Sequence, residues 1–406
     1  MNIIFLDTAY TLKMARARAL DQEFISRQCG DFFQHVWAIN PIADLQDKTP
    51  LKFEGFKVDI VAFSENQTVI EGVTTYYKIL KKIAPLNFIF SQLRLLIYTV
   101  KLARANKVNI ICCTDPYFVG ILGVLLKFFT KAKLVIWVFG NYDDIYESTG
   151  TLAMPRLFKR RWVEKFVERF VFKNSDLIAG GNHDCLQFVL NNGVPQEKTT
   201  LFPIGKLISR AHQIDPLARS SDIFFDGKKD VKVFIFIGRL LKLKFPDHAI
   251  FAFTEINKIY PDAELIMAGD GEMRSELLAI CSDFGITTKV HFLGNLDQDK
   301  LSNLMACCFA CLSPLSGRSL VEVTLAGLPV IAYDRDWQSD YLLASGAGTI
   351  VPFMDWKAMG AAAIDLLNSP DDAKVMSRRA RKLGLEFTDL DTIYAHEKSQ
   401  YSKLLA

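Results

Sequence analysis

The sequence lacks the side-chain clusters that usually hold metal ions or carry redox chemistry. Its six histidines are scattered, and no Asp-x-Asp pair follows a predicted strand in its first half. The eight cysteines fall mostly in apolar, strand-like runs, and Cys308 and Cys311 have no second pair or histidine cluster beside them. We therefore expect buried thiols in a reducing cytoplasm, no cofactor and no metal site.

Long hydrophobic runs are also missing. The apolar stretch 117–126 is followed by Lys127 and is much shorter than the roughly 20 residues that a membrane-spanning helix needs. Met1 leads almost directly into a strand-like run, so we expect no signal peptide. Half of the residues are apolar and there is no low-complexity tract, which excludes a disordered chain.

Neither sign of charge dominates the chain, whose formal net charge is +3. The distribution is uneven, however. Residues 1–205 carry 25 Lys and Arg against 19 Asp and Glu, a net of +6, whereas the remainder carries 23 against 26, a net of −3. We expect an anionic surface, but no nucleic acid, as a partner of the basic half.

Strand-like runs alternate with helix-like stretches, which is typical of an α/β fold with doubly wound parallel sheets. The predicted strands are 3–6, 58–63, 108–112, 133–138, 177–179, 233–237, 264–268, 290–293, 307–312, 330–333 and 349–351. The predicted helices include 12–28, 89–105, 371–384 and 392–404. The length suits two domains, and the polar, weakly periodic region between Gly205 and Lys229 marks their boundary.

The most informative segment is 313–332, which predicts a strand, a turn, a short helix and another strand. Gly317 would permit the turn, Ser319 would cap the helix and Gly327 would end it. A helix N-terminus at the edge of a parallel sheet suits a phosphate. Glu322 lies one turn inside the helix, where it would bind a ribose diol or serve only as a partner of the helix dipole.

A second cluster lies upstream. The apolar run 233–237 leads directly into Gly238 and Arg239, and Lys244 follows one loop later. An arginine at the carboxyl end of a strand and a nearby lysine can place two cations on one diphosphate. We favour this clamp for Arg239 over the alternative of an ordinary surface arginine, and Lys242 is an alternative to Lys244. The strand 264–268 then ends in Gly-x-Gly.

These motifs, in this order, resemble those of the retaining, nucleotide-sugar-dependent glycosyltransferases of family 4. The matches are Gly238-Arg239-Leu240 with Lys244, then Gly269-Asp270-Gly271, then Glu322 with Ala326-Gly327-Leu328-Pro329-Val330. The likeness covers residues 175–406 well and the first half loosely. It implies the GT-B fold, in which two Rossmann-like domains face each other across a cleft and a C-terminal helix packs back across both. Residues 1–205 would bind the acceptor, residues 206–385 would bind the nucleotide sugar, and residues 386–406 would form the returning helix.

The resemblance also implies roles for individual residues. Arg239 and Lys244 would clamp the donor diphosphate as the catalytic cations, and Glu322 would hold the ribose. The remaining donor-binding residues would be Gly238, Gly269, Gly271, Gly317, Arg318, Ser319 and Leu320. The sequence departs from the family at two positions: Pro314 replaces the first glutamate, which grips the sugar, and Phe139 replaces a histidine of the first domain. Both departures concern sugar recognition more than nucleotide binding.

The first half offers weaker candidates for the acceptor or sugar side. Asp7 and Asp115 follow predicted strands. The alternative role for each is to cap the next helix, and we favour the cap for Asp7. Gly140, Asn141 and Asp144 follow the strand 133–138 and would orient hydroxyl groups or form a solvated loop.

An amphipathic, basic helix is predicted at 156–173. Phe158, Trp162, Phe166 and Phe170 recur every fourth residue and give it an apolar face. Such a face usually belongs to the core. The alternative is a peripheral contact with anionic lipid, where a lipid-linked acceptor would be found.

The sequence thus predicts a glycosyltransferase that moves a sugar from a UDP- or GDP-linked donor to the hydroxyl of a lipid-linked or oligosaccharide acceptor. The resemblance implies retention at the anomeric carbon and a role in surface polysaccharide or glycolipid synthesis, in the cytoplasm or on the inner face of its membrane. Two alternatives share the fold: a sugar-nucleotide 2-epimerase, and a non-catalytic subunit that binds nucleotide sugars.

Overall fold

A computed structural model describes residues 1–46, 59–80, 82–216 and 231–406. It divides into two compact units. The first comprises residues 1–17, 21–204 and 390–406, and the second comprises residues 18–20 and 205–389. Each unit is built on one twisted sheet with helices packed against it.

The first unit contains eight strands and nine α-helices among its described residues. The strands are β1 (Asn2–Leu6), β2 (His35–Asn40), β3 (Asp59–Ser64), β4 (Gln67–Glu71), β5 (Ile110–Cys113), β6 (Lys133–Val138), β7 (Leu177–Gly180) and β8 (Thr199–Leu201). The helices are α1 (Leu12–Ala17), α2 (Gln22–Ile25), α3 (Ala43–Gln46), α4 (Ala84–Ala105), α5 (Phe118–Thr130), α6 (Tyr142–Thr149), α7 (Arg161–Asn174), α8 (His183–Asn191) and, from the end of the chain, α16 (Leu390–Leu405).

The sheet of the first unit has the strand order β3-β4-β2-β1-β5-β6-β7-β8. All neighbours are parallel except β3 and β4, which form an antiparallel pair at one edge. Strands β2 to β4 lie on one side of β1 within the sheet and strands β5 to β8 lie on the other, so the strand order reverses between β1 and β5. The carboxyl ends of these two strands therefore flank the crevice where sheets of this kind bind ligands.

The second unit repeats the scheme with a smaller sheet. Its strands are β9 (Val233–Ile237), β10 (Glu264–Ala268), β11 (Val290–Gly294), β12 (Ala310–Ser313), β13 (Val330–Tyr333) and β14 (Gly348–Val351). Its helices are α9 (Pro246–Ile259), α10 (Arg274–Asp283), α11 (Gln298–Met305), α12 (Ser319–Leu325), α13 (Gln338–Leu343), α14 (Trp356–Asn368) and α15 (Pro370–Phe387). The order is β11-β10-β9-β12-β13-β14, all parallel, so the strand order reverses between β9 and β12.

The predicted α/β class, with a doubly wound and mainly parallel sheet in each unit, is confirmed. Several predicted elements were wrong in detail, among them the helix 156–173, which begins only at Arg161. The helix 12–28 is broken into α1 and α2, because Ala19 adopts a left-handed conformation with φ 52°. The strand 307–312 begins only at Ala310, since Cys307 and Cys308 belong to the turn after α11. Of the predicted strand 58–63, Val58 lies outside the described residues, and the strand ends one residue later than predicted, at Ser64.

All eight cysteines are free thiols, although Cys307 and Cys308 are only half-buried. Within the described ranges, no three His, Cys, Asp or Glu side chains are grouped in a way that could hold a metal ion. Nor does any helix in the described part of the chain combine the length and hydrophobicity needed to cross a bilayer.

Candidate functional site

The carboxyl ends of β9 and β12 bring the two sequence motifs of the second unit together. These strands are neighbours, and β9 leads into Gly238 and Arg239 while β12 leads through a short loop into α12. The hydroxyl of Ser319, the first residue of α12, donates a hydrogen bond to the carbonyl of Ile237 at 3.1 Å. This bond fixes the beginning of α12 beside Arg239, at the point where the strand order reverses.

Two glycines allow the loop after β10 to pack directly on the loop after β9. A Cβ atom on Gly269, whose φ is +143°, would lie 1.9 Å from the carbonyl oxygen of Gly238. A Cβ on Gly271 would lie 2.4 Å from the carbonyl oxygen of Leu240. No other residue fits without moving backbone. The Gly-x-Gly motif therefore lets the backbone after β10 pack against the loop that carries Arg239 and Lys244.

Two cations stand at this edge. The Arg239 side chain is exposed, and no ion pair holds it within the described residues. Lys244 ends a short 3₁₀ turn at Lys242–Lys244 and is half-buried. Burial lowers the pKa of Lys244, the positive charge of Arg239 lowers it further, and Asp336 opposes both. The charge of Arg239 thus acts on Lys244, and both cations lie in the loop that follows β9.

Glu322 is a buried carboxylate on α12. The residue is 7% exposed. Its carboxylate is not among the buried side-chain groups of the described residues that lack a hydrogen-bond partner. A ribose diol and the helix dipole both remain suitable partners, and the role of Glu322 toward a ribose remains a prediction.

The helix that carries Glu322 is anchored at both ends. At its C-terminus, Gly327 adopts φ +71° and closes a Schellman motif, with the N–H of Leu328 donating to the carbonyl of Val323 at 3.1 Å. From α15, Ser377 donates to the carbonyl of Gly327 at 2.6 Å, and Arg381 donates to that of Leu325. The predicted end of the helix at Gly327 therefore agrees with the structure.

The predicted start of α12 needs correction. Ser319 does not cap the helix, because its hydroxyl bonds to β9 and Arg318 occupies the N-cap position. Leu320 is fully buried and its N–H donates to Gly317, so it has no group left for a phosphate. The N–H groups of Gly317 and Ser319 have no backbone carbonyl partner in the described residues, and both precede the helical hydrogen bonds.

The sequence analysis did not identify Gln338, which holds the loop before α12 in place. Its side-chain oxygen accepts hydrogen bonds from the hydroxyl of Ser313 at 3.0 Å and from the N–H of Ser316 at 2.9 Å. Its amide nitrogen donates to the carbonyl of Pro314 at 3.2 Å. Gln338 is fully buried, and thus it fixes the loop in which Pro314 replaces the family's first glutamate. A lone glutamine 24 residues downstream of Pro314 carries no motif by which sequence could find it.

At the crevice of the first unit, Asp7 does not cap a helix. Its carboxylate pairs with Arg27 and accepts hydrogen bonds from the N–H of Ala9 at 2.8 Å and the hydroxyl of Thr114 at 3.1 Å. Asp115 instead accepts from the N–H of Tyr117, at 2.8 Å, and so supports the start of α5. Burial raises the pKa of Asp115 to about 7, and the charge of Asp7 adds to the effect.

Asn141 and Asp144 are joined at the start of α6. The side-chain oxygen of Asn141 caps the helix by accepting from the N–H of Asp144 at 3.1 Å, and its amide donates to Asp184 at 3.0 Å. Gly140 directly precedes this cap and is half-buried. Asn141 therefore has a structural task, and its predicted role toward an acceptor remains a prediction.

Residues 219–383 match the family model of glycosyl transferases group 1. An uncharacterized glycosyltransferase of Methanocaldococcus jannaschii is 24% identical over 263 residues, which are 62% of this chain and 61% of that protein. A GDP-mannose-dependent alpha-(1-6)-phosphatidylinositol monomannoside mannosyltransferase of Mycolicibacterium smegmatis is 28% identical over 183 residues, 42% of this chain and 48% of that protein. The chain thus matches less than two thirds of the length of each relative.

Solved structures share the fold over nearly the whole chain. Sucrose-phosphate synthase from Thermosynechococcus elongatus superposes with a TM-score of 0.76 and 17% identity, covering 99% of this chain and 98% of that one. HepE from Anabaena, in complex with UDP, superposes with a TM-score of 0.70 and 16% identity, covering 99% and 100%. At such identities the likeness shows the fold alone. This chain therefore has the GT-B fold, and its residues 219–383 match the glycosyl transferases group 1 family.

Proposed function

We propose that this protein transfers a sugar from a nucleotide diphosphate donor to an acceptor hydroxyl, with retention at the anomeric carbon. The observation that supports the proposal is that Arg239 and Lys244 follow β9 and Glu322 follows β12, the neighbouring strands between which the strand order of the second unit reverses. Two cations and a carboxylate at this edge suit a diphosphate joined to a ribose. The group 1 match of residues 219–383 and the shared fold support it.

The chemistry follows from charge. As the bond from the sugar to the diphosphate breaks, negative charge grows on the leaving phosphate. Arg239 and Lys244 would stabilise that charge, and the N–H groups of Gly317 and Ser319 would add donors. Because α12 has only seven residues, its dipole is the smaller contribution. Glu322 would hold the ribose and thereby orient the donor.

We propose UDP or GDP as the nucleotide and a lipid-linked or oligosaccharide acceptor, in surface polysaccharide or glycolipid synthesis on the inner face of the cytoplasmic membrane. HepE was solved with UDP, and the M. smegmatis relative is named as GDP-mannose-dependent and as acting on a phosphatidylinositol monomannoside. Residues 1–205 would bind the acceptor and residues 206–385 the donor. Pro314, fixed by Gln338, leaves sugar recognition to groups other than the family's first glutamate.

The diphosphate clamp is tested by Arg239→Ala, with Lys242→Ala as the matched control. Lys242 is an exposed cation in the same loop, so it reports the general effect of removing one positive charge. We expect Arg239→Ala to weaken UDP or GDP binding in calorimetry by about tenfold or more, because a charge-assisted contact is lost. Lys242→Ala should change the affinity by less than about threefold. Equal affinity in wild type and Arg239→Ala would refute the clamp.

The reaction itself is tested with radiolabelled UDP- and GDP-sugars and a membrane extract. Label that moves into lipid or oligosaccharide supports transfer. Conversion of the donor into its epimer would replace transfer by 2-epimerisation, and binding without turnover would replace it by a non-catalytic subunit.

A further inference from the structure

Helix α7 of the first unit exposes its aromatic face to solvent. Trp162, Phe166 and Phe170 are 66%, 70% and 45% exposed, while Glu164 and Glu168 on the opposite side are fully buried. The default expectation that the aromatic face belongs to the core is therefore wrong for these three residues. It holds only for Phe158, which precedes the helix and is 9% exposed.

Buried ion pairs fix this orientation. Arg161 contacts Glu164 at 2.9 Å and Glu168 at 2.8 Å, and Glu164 also accepts a hydrogen bond from the N–H of Met154 at 2.8 Å. Asp143 pairs with both Arg161 and Lys165. Rotating α7 to bury its aromatic rings would expose or separate these charges, and separating buried pairs is strongly destabilising. The exposed aromatic face is thus built into the fold.

Helix α4 also exposes apolar residues. Its carboxyl-terminal half buries Leu95 and Leu96 in the core, whereas the buried side of its amino-terminal half carries Asn87, Ser91 and Gln92. Asn87 donates to the carbonyl of Tyr77 at 2.9 Å, Ser91 accepts from the N–H of Tyr76 at 2.9 Å, and Gln92 donates to the carbonyl of Pro41 at 3.0 Å. Its exposed apolar residues, between 42% and 58% exposed, are spaced along one side of the helix: Leu86, Ile89, Phe90, Leu93 and Ile97.

Helix α5 joins α4 to α7. Arg104 at the end of α4 donates to the carbonyl of Phe129 on α5 at 2.7 Å, and Lys127 on α5 donates to the carbonyl of Asn174 at the end of α7 at 2.9 Å. The exposed apolar residues of α5 are Leu125, Phe128 and Phe129, of which Phe128 is 81% exposed. The exposed apolar residues of these three neighbouring helices form what we call the α4–α5–α7 face.

Charge on these helices has one sign where it meets solvent. Every residue of α4, α5 and α7 is described, and their two carboxylates, Glu164 and Glu168, are both buried. The exposed cations on the helices and at their ends include Arg94, Lys101, Arg104, Lys131, Arg169 and Lys173. A second copy of the chain would bring the same positive charge to the contact. An anionic bilayer offers hydrocarbon and opposite charge together.

We propose that the α4–α5–α7 face docks the first unit onto a bilayer that contains anionic lipid, lying in the interface without crossing it. This inference rests on the proposed function. Docking would bring the unit assigned to the acceptor to the membrane, where a lipid-linked acceptor is found. Exposed aromatic side chains enter the headgroup region, and the surrounding lysines and arginines bind phosphate groups.

The hydrophobic part is tested by vesicle flotation with phosphatidylglycerol and phosphatidylcholine. Wild-type protein should float at low salt, and Phe128→Ser with Phe166→Ser should lower the bound fraction by about tenfold. The matched control is Ile259→Ser with Leu343→Ser, which removes two apolar residues of 58% and 61% exposure from the second unit. The control should float like wild type. No flotation of wild type at low salt, or an equal loss in the control, would overturn the proposal.

The charged part is tested in parallel. Arg169→Glu with Lys173→Glu should reduce binding more than Arg378→Glu, an exposed cation of the second unit, and binding should fall as salt rises or phosphatidylglycerol is omitted. If wild type instead forms a dimer in sedimentation that Phe166→Ser dissolves, and does not float, the face is an interface between copies and the proposal fails. Flotation does not depend on catalytic turnover. Arg239→Ala should float like wild type, because Arg239 lies outside the α4–α5–α7 face. Failure of the membrane proposal can therefore be distinguished from failure of the proposed reaction.

Discussion

Lys244 and Glu322 are the two proposed donor-binding residues whose side chains are largely withdrawn from solvent. Burial lowers the pKa of Lys244, Asp336 opposes this effect and the charge of Arg239 adds to it. Glu322 is 7% exposed. A diphosphate at the proposed clamp would favour the charged form of Lys244, so donor binding should depend on its protonation.

The lowered pKa of Lys244 predicts a pH dependence of donor binding. Because the ammonium form binds the diphosphate, affinity should be highest below the lowered pKa and fall as pH rises through it, sooner than an ordinary lysine would allow. Lys244→Arg keeps its charge at all accessible pH values and should flatten the alkaline limb. Calorimetric titration of UDP or GDP across alkaline pH measures this. Identical pH profiles for wild type and Lys244→Arg would contradict it.

At the scale of elements, the loops after β9 and β10 form one packed structure. Gly269 and Gly271 let the backbones of the two loops meet, and Ser319 ties α12 to the same place. The position of Arg239 therefore depends on glycines that need not touch a ligand themselves.

We predict that Gly269→Ala will both destabilise the second unit and weaken donor binding, while Gly317→Ala will be tolerated. The new methyl at 269 would meet the carbonyl oxygen of Gly238 at 1.9 Å and occupy a strained φ, whereas at 317 it meets nothing within 4 Å. We expect a loss of about 2 kcal/mol or more in the free energy of unfolding for the first variant and less than about 0.5 kcal/mol for the second. Denaturant unfolding and nucleotide titration measure both effects. Equal behaviour of the two variants would show that the close approach does not matter.

How well the sequence predicted an element depended on whether local pattern or tertiary contact decides it. The bounds of β6, β9, β10 and β13 were predicted correctly because fully buried parallel strands read as unbroken apolar runs. Strands β2, β4 and β8 were missed, since β2 begins and ends on polar residues, β4 is mixed, and β8 has three residues. Helical periodicity could not predict the orientation of α7. Its buried side carries Glu164 and Glu168, because both form ion pairs with Arg161 inside the fold.

The same contrast applies to the site. Arg239, Lys244 and Glu322 lie in short motifs, so the local sequence alone identified all three as candidates. Gln338 lies far along the chain from the loop it holds, so only the packed structure brings it there. Ser319 was placed correctly in α12, but its hydroxyl bonds to another strand instead of to its own helix.

At the scale of the whole molecule, the first unit is completed by the last helix of the chain. Tyr401 on α16 is 1% exposed, and its ring packs against those of Phe33 and Phe202 at 5.2 Å each. Thr200 on β8 and His396 on α16 join the same parts of the unit at 3.0 Å. Helix α16 is thus part of the core of the unit in which the chain begins.

We predict that Tyr401→Ala will lower the free energy of unfolding of the first unit by about 3 kcal/mol, because it leaves a cavity among aromatic rings. Lys403→Ala, on the exposed side of the same helix, should be nearly neutral. Differential scanning calorimetry measures the shift in transition temperature. A shift no larger than that of Lys403→Ala would show that α16 contributes little to this core.

The return of α16 has a consequence for biosynthesis. Nearly all of the second unit is one continuous stretch, Gly205–Asp389, whereas the first unit needs residues from both ends of the chain. The core of the first unit therefore lacks Tyr401 until the whole of the second unit has been translated. The half of the chain that is synthesised first depends on the last helix to be synthesised.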